Sequence, residues 1–392
     1  MTAAPRRLRG LYVSTEQAVK DGSGARRHID EGIKHLGRHF DLDVLDYSRR
    51  APAETPADAP AQPQPAGPSL LRGLKTSSLA GAVRDLRQYR RMNALAAEID
   101  RHIRDHQVDF VYERSAYLSF AGLRAAKRRK VTHCYEVNGL GYLDYAGYYR
   151  SVLHPLARKL ELDSFRRSDH VFFVGGIAER AAIGTDNWSR VQNGVEEAFV
   201  ARFAEPRQTP QLPLRICFIG HVMQHHKVDT LVDAFRAVRR KADVEFHAIG
   251  TFPASLAEAL AELVTVKVHG VLQREAMAPV LAECHVGLIS GDMAFGSFMK
   301  LWDYGAARML ATAPRLDNLN RVFTDELLFV ENSSGAALGE AINTVVERPE
   351  LVPVLGNALH DRVARDFTWE RVFDFTADTI ARTCAAREGA AQ

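Results

Sequence analysis

Short apolar runs alternate along the chain with stretches in which apolar residues recur every three or four positions. Residues 11–15, 42–45, 108–112, 131–137, 171–174 and a short run around Val191 are apolar enough to predict buried parallel strands. Between them, Ile29, Ile33, Leu36 and Phe40 fall at helical spacing, and residues 70–106, 121–130 and the stretch ending at Arg167 predict further helices. The alternation then restarts. Residues 214–219, 244–249, 264–268 and 286–289 predict strands, each followed by helical periodicity, and residues 370–384 predict a last amphipathic helix after Phe367-Thr368-Trp369. Strands that alternate with helices make a doubly wound parallel sheet, so two such series predict an α/β chain with two Rossmann-like domains.

Two interruptions organise these series. Residues 51–68 are rich in Pro and Ala and predict an extended, mobile loop inside the first domain, because strand–helix units resume beyond it. Residues 200–213, with Pro206, Pro210 and Pro213, predict the interdomain linker. The expected organisation is an N-terminal domain over 1–199, the linker, a C-terminal domain over 214–368, and a closing helix and tail over 369–392.

Composition narrows the class. The 392 residues suffice for two ordinary cores, and a net charge of +3 gives no general reason to expect nucleic acid as a partner. Cys134, Cys217, Cys284 and Cys384 are scattered without paired spacing, which predicts free thiols and a reducing compartment. Neither a signal-peptide core nor a run of about 18 apolar residues is present, so a cytoplasmic protein is expected. The segment 70–106 interleaves Arg84, Arg87, Arg90 and Arg91 with apolar positions. Such a helix either packs on a core with a solvated basic face or lies on the inner face of an anionic membrane.

The candidate chemistry gathers where strands end. The run 214–219 closes on Gly220 and leads through His221, His225, His226 and Lys227 to a helix from Asp229. A strand that ends in glycine and feeds a helix offers free N–H groups and a positive dipole end, and the lysine suits a diphosphate. Adjacent His225 and His226 do not share a helix face, so they lack the spacing of a metal pair. In the first domain, Gly22-Ser23-Gly24 lies in a glycine loop after the first strand, but it is not GxGxxG and carries no clear nicotinamide signature. Glu113-Arg114 and Glu136-Val137-Asn138 stand at later strand ends, where open α/β sheets place ligands. Asn138-Gly139 is equally a turn, and Glu136 equally a structural partner of Arg114.

Taken in order, these segments resemble family 4 of the retaining GT-B glycosyltransferases. Tyr112-Glu113-Arg114 and Tyr135-Glu136-Val137-Asn138 are similar to first-domain segments of many members. The run from Asp169 to Val174 resembles "A-D-x-V-x-x-V-S", with Gly175 in place of the serine, and Gln192-Asn193-Gly194-Val195 resembles the "P-N-G-V/I" hinge. Phe218-Ile219-Gly220 with Lys227 and Asp229-Thr230-Leu231 resembles "F-x-G-R-L…K-G-x-D-x-L". Val268-His269-Gly270-Val271 resembles "V-x-F-x-G-x-V", and Met299 to Ala306 resembles "P-x-K-L-x-E-Y-x-A".

The resemblance implies two Rossmann-like domains facing each other across a cleft, with a nucleotide-diphosphate sugar held by the second. Lys227 or His226 takes the place of the diphosphate-binding lysine, and His221 that of the arginine. Asp303 stands for the ribose-binding glutamate. Phe295 replaces the other acidic residue, while Phe295, Gly296, Ser297 and Phe298 supply backbone N–H groups to the donor. Val271 and Leu272 lie by the base and Gly220 and Gly250 by the cleft wall. Gly22, Ser23, Gly24, Glu136 and Asn138 lie on the acceptor side.

The expected reaction is transfer of a hexosyl or N-acetylhexosaminyl group from a UDP- or GDP-linked donor to a hydroxyl acceptor, with retention and with neither cofactor nor metal. The setting is cell-envelope polysaccharide, glycolipid or secondary-metabolite synthesis. The losses at His221 and Phe295 leave two alternatives, a non-catalytic GT-B partner protein and another GT-B enzyme such as a sugar-nucleotide epimerase.

Overall fold

A computed structural model of the chain describes residues 6–16, 19, 21–49, 78–143, 152–178, 184–220, 228–290 and 297–391. Its contacts divide the chain into two units, one of residues 1–191 with 373–392 and the other of residues 192–372. Compared with the boundaries expected from sequence, residues 192–199 join the second unit. Most of the last helix, an expected appendage of the C-terminal end, packs with the first.

The first unit is built on strands β1 (Arg9–Ser14), β2 (Asp41–Asp46), β3 (Phe110–Arg114), β4 (Thr132–Val137), β5 (His170–Val174) and β6 (Trp188–Val191). All pair in parallel, in the order β2-β1-β3-β4-β5-β6. Helices α1 (Gly24–His39), α2 (Ser78–His106), α3 (Ala121–Arg129) and α4 (His154–Arg167) connect them. Gly22, at φ +73°, turns the chain after β1, and the Ser23 side chain caps α1 by accepting the Arg26 N–H at 3.2 Å. Helix α2 buries Met92, Leu95, Ile99 and Ile103 against Leu11, Val13 and Val111. The basic segment is therefore a core-packed helix, with Arg87 and Arg90 in solvent.

The second unit opens with α5 (Glu197–Val200) and a 3-10 turn at Ala201–Phe203, so the first residues of the expected linker are ordered. Its strands are β7 (Leu214–Ile219), β8 (Val244–Ile249), β9 (Thr265–Gly270), β10 (Val286–Leu288), β11 (Leu310–Pro314) and β12 (Leu328–Val330). They form a second parallel sheet in the order β12-β11-β10-β7-β8-β9. Helices α6 (Val228–Ala237), α7 (Ala254–Ala261), α8 (Arg274–Glu283), α9 (Met299–Ala306), α10 (Asp317–Asn320), α11 (Gly335–Glu347) and α12 (Leu351–Asp366) lie between and after them. A long helix, α13 (Trp369–Ala391), ends the chain. Strands β11 and β12 go beyond the sequence expectation; the latter is three residues long and carries no periodicity to read. All four cysteines are free and buried. Among the described residues no helix is long and apolar enough to cross a membrane.

Both sheets are built outward from one early strand in both directions. The strand order reverses at β1/β3 in the first unit and at β7/β10 in the second. At such switch points the connections leave on opposite faces, and a crevice opens beyond the carboxyl ends of the strands.

Candidate functional site

In the first unit, the strand ends beside the switch point carry a buried polar cluster. Pairing sets Ser14 opposite Arg114 and Arg114 opposite Glu136. The Glu136 carboxylate is 1% exposed and accepts four hydrogen bonds: from Arg114 Nη1 (2.6 Å), Asn138 Nδ2 (2.5 Å), Tyr112 Oη (2.5 Å) and His28 Nε2 (2.9 Å). Arg114 Nε reaches Glu16 at 3.1 Å. Burial would push the Glu136 carboxyl up, but the His28 and Arg114 charges and the donated hydrogen bonds hold it far below the usual carboxylate range. Its two oxygens are fully engaged. Glu136 thus anchors Arg114 and His28 in place. Asn138 turns its amide back onto the same carboxylate.

A second carboxylate, Glu113, lies on the opposite face of β3 from Tyr112 and Arg114. Glu113 is fully buried and accepts from Ser119 Oγ (2.6 Å), Leu123 N (3.1 Å) and His133 Nε2 (3.1 Å). The alternation Tyr112-Glu113-Arg114 is the available signal, since successive strand residues point to opposite faces.

The second unit presents three glycines at the ends of adjacent strands. Gly220 N donates to Ile249 O (2.9 Å), and Gly250 N donates to Gly270 O (2.7 Å). Gly250, at φ +121°, lies so close that a Cβ would stand 2.2 Å from the Gly220 carbonyl oxygen. This close approach leaves no room for a side chain at Gly250. Beyond it, Val271 is exposed, while Leu272 packs on the core.

Helix α9 is fixed at the β7/β10 switch point by Tyr304. Its hydroxyl accepts from Ile219 N (3.0 Å) and lies 3.3 Å from Cys217 O and 3.2 Å from Leu288 O. Ser297 precedes the helix and is tethered by Asn193, whose N–H donates to Ser297 Oγ and whose amide donates to Ser297 O, each at 3.0 Å. The hinge motif therefore holds the mouth of the loop after β10. Asp303, one turn into α9, is buried and paired with Arg274 at 2.7 Å. Arg274 also pairs with Glu196 at 2.5 Å and stacks 4.0 Å over the Phe199 ring. Phe298 lies at the helix N-cap.

Lys300, in the first turn of α9, was read from sequence only as part of a motif. It is 8% exposed, and among the described residues its Nζ has no hydrogen-bond partner. The ammonium rests 4.0 Å over the ring of Phe218, near the carboxyl end of β7. Burial pulls its amine down to about 7. A buried lysine with no carboxylate partner among the described residues is a ready counter-charge for an anion. His221, His226, Lys227, Phe295 and Gly296, also expected at this site, lie outside the described residues.

Comparison with known proteins follows the same division. The Glycosyltransferase Family 4 model matches residues 22–199, and a glycosyl transferase-like model matches residues 230–378. No curated protein matches the chain by sequence. Among solved structures, a glycosyltransferase from Rickettsia africae matches with a TM-score of 0.66 at 13% identity, covering 97% of this chain and 99% of that one. Sucrose-phosphate synthase from Thermosynechococcus elongatus matches with a TM-score of 0.66 at 15% identity, over 97% and 100% of the two chains. HepE from Anabaena, in complex with UDP and glucose, matches with a TM-score of 0.62 at 12% identity, over 96% and 100%. The chain carries a Glycosyltransferase Family 4 domain followed by a glycosyl transferase-like domain, and its two parallel six-stranded sheets have the fold of the GT-B glycosyltransferases.

Proposed function

We propose that this glycosyltransferase moves a sugar from a UDP-linked donor to a hydroxyl acceptor with retention of configuration. The observation that carries the donor part is Lys300: a buried amine with no hydrogen-bond partner among the described residues, at the switch point of the second sheet. A departing nucleoside diphosphate supplies the missing anion. The N–H groups opening α9 add dipoles to the same region. UDP is favoured over GDP because the similar HepE structures hold UDP and UDP-glucose.

In the proposed reaction, the bond from the anomeric carbon to the β-phosphate oxygen breaks as a bond to the acceptor oxygen forms on the same face. The acceptor proton passes to the departing phosphate oxygen. The negative charge that grows on the diphosphate is where fixed cations lower the barrier most. Lys300 fills this role together with Lys227 and His221, and Asp303 takes the donor ribose. On the acceptor side, Arg114, held by Glu136, and the capped start of α1 at Gly22, Ser23 and Gly24 stand at the strand ends of the first sheet. Val83 and Leu86, exposed beside Arg87 on α2, support an amphiphilic acceptor met at an anionic membrane surface.

Thermal shift with UDP, GDP and ADP on the wild type, Lys300→Met and Lys227→Ala tests the donor part. UDP alone should stabilise the wild type, by mass action on the native state, and both variants should lose the shift. An unchanged shift in Lys300→Met overturns the assignment of Lys300, and no shift with any nucleotide overturns the donor site. UDP binding with no UDP release from UDP-sugars across an acceptor panel would move the non-catalytic alternative to the front.

A further inference from the structure

Away from the ligand-facing strand ends, the last turn of α2 and the edge strand β2 bring three metal-ligating side chains together. His102 and His106 are four residues apart on α2, so both imidazoles leave the same helix face. They stack with ring centroids 4.1 Å apart and planes within 9°. Both converge on one oxygen of Asp43 from β2: His102 Nε2 lies 2.9 Å and His106 Nδ1 3.6 Å from Oδ2. The three ligand atoms all lie within 4.8 Å of one another.

We propose that Asp43, His102 and His106 form a binding site for a divalent transition-metal ion of the zinc class, which clamps α2 to β2. Metal–ligand bonds of about 2.0–2.1 Å in a tetrahedron place ligand atoms about 3.3 Å apart. The observed 2.9 and 3.6 Å straddle that spacing, and the stacked imidazoles complete the set by turning out of their parallel planes so that both nitrogen lone pairs meet one ion. Two imidazoles and a carboxylate are the borderline donors that zinc, cobalt and nickel take, and a fourth position remains for water. The site also sits at the carbonyl end of a long helix, where the macrodipole favours a cation. Arg9 Nε lies 3.5 Å from the Asp43 oxygen but is shared with Asp41 at 3.8 Å, so its charge keeps a carboxylate when a metal takes Asp43. A simple ion pair requires one histidine; here two converge on a single oxygen. Binding replaces the hydrogen bond between His102 and Asp43 with two metal bonds, and the ring proton of neutral His102 moves from Nε2 to Nδ1.

The full chain, stripped with chelator, would be titrated with Co(II) while visible absorption is recorded, then with Zn(II) in competition. Thermal unfolding would be followed with and without Zn(II). The expected result is one equivalent of Co(II) with tetrahedral d–d bands, displaced by Zn(II), and a Zn(II)-dependent rise in Tm. His106→Gln should weaken binding by about tenfold or more and remove the rise. His102→Gln should do the same, while Arg9→Lys, which ligates nothing, should retain both. Absence of saturable binding in the wild type overturns the site. So does equal binding by the wild type and both histidine variants, which would place the metal on other ligands such as His225 and His226.

Discussion

Lys300→Met keeps a long apolar side chain and deletes the buried ammonium. In the folded chain burial holds this amine at about 7, against its ordinary 10.5. A base whose pKa falls on folding costs stability wherever it has to be protonated. The cost is therefore full below pH 7, shrinks as pH rises from 7 to 10.5, and is gone above. Three and a half units correspond to a ceiling of about 5 kcal/mol. At pH 6 the variant should be more stable than the wild type by at least about 1 kcal/mol, and the two should converge towards pH 10. Binding reverses the sign. A diphosphate beside Nζ favours the protonated lysine, so UDP binding above that pKa, where most of the amine is neutral, should take up close to one proton. Calorimetry in buffers of different ionisation heat measures that uptake, and urea unfolding from pH 6 to 10 measures the stability difference. A variant that binds UDP as tightly as the wild type, with no proton uptake in either, would refute the reasoning. A variant less stable than the wild type at pH 6 would show that the ammonium already has a stabilising partner.

Glu136→Gln removes the charge that Arg114 and His28 share, and should destabilise the first unit by about 3–5 kcal/mol in urea unfolding, the range for one partner lost from a buried ion pair. Because that carboxyl is held below its ordinary value of 4.5, its contribution is present above pH 4.5 and is lost as pH falls further, so the variant should show a flatter acid limb. Gly250→Ala combines φ +121° with a Cβ 2.2 Å from the Gly220 carbonyl. It should cost about 1–3 kcal/mol or more in chemical denaturation and weaken UDP binding together with it. Asp303→Asn leaves Arg274 paired with Glu196 alone. If Asp303 holds the donor ribose, KM for the sugar donor should rise about tenfold with a smaller change in kcat, and equal donor KM values would remove it from the site.

Much of the architecture was legible in the sequence because burial on both faces writes parallel strands as short apolar runs, and the helices between them show their own period. The βα order, the two domains, the Gly22-Ser23 helix start and the strand-end positions of Arg114, Glu136, Gly220 and Gly250 all follow from such local signals. Strand β12 and the packing of the final helix with the first unit did not, because three residues hold no period and a helix does not encode which surface it will meet. The charge assignments at the candidate sites were likewise decided only by tertiary structure. Nothing in Glu136-Val137-Asn138 shows that His28, Tyr112, Arg114 and Asn138 will saturate one carboxylate, since these donors come from one helix, one strand and the loop after another. Nor does Met299-Lys300-Leu301 show that its lysine is buried over Phe218, or Asp43 that two histidines some sixty residues on will share its oxygen. Sequence spacing sets which residues share an element and a face; ionisation and ligation depend on distances between elements, which exist only once the sheets have assembled.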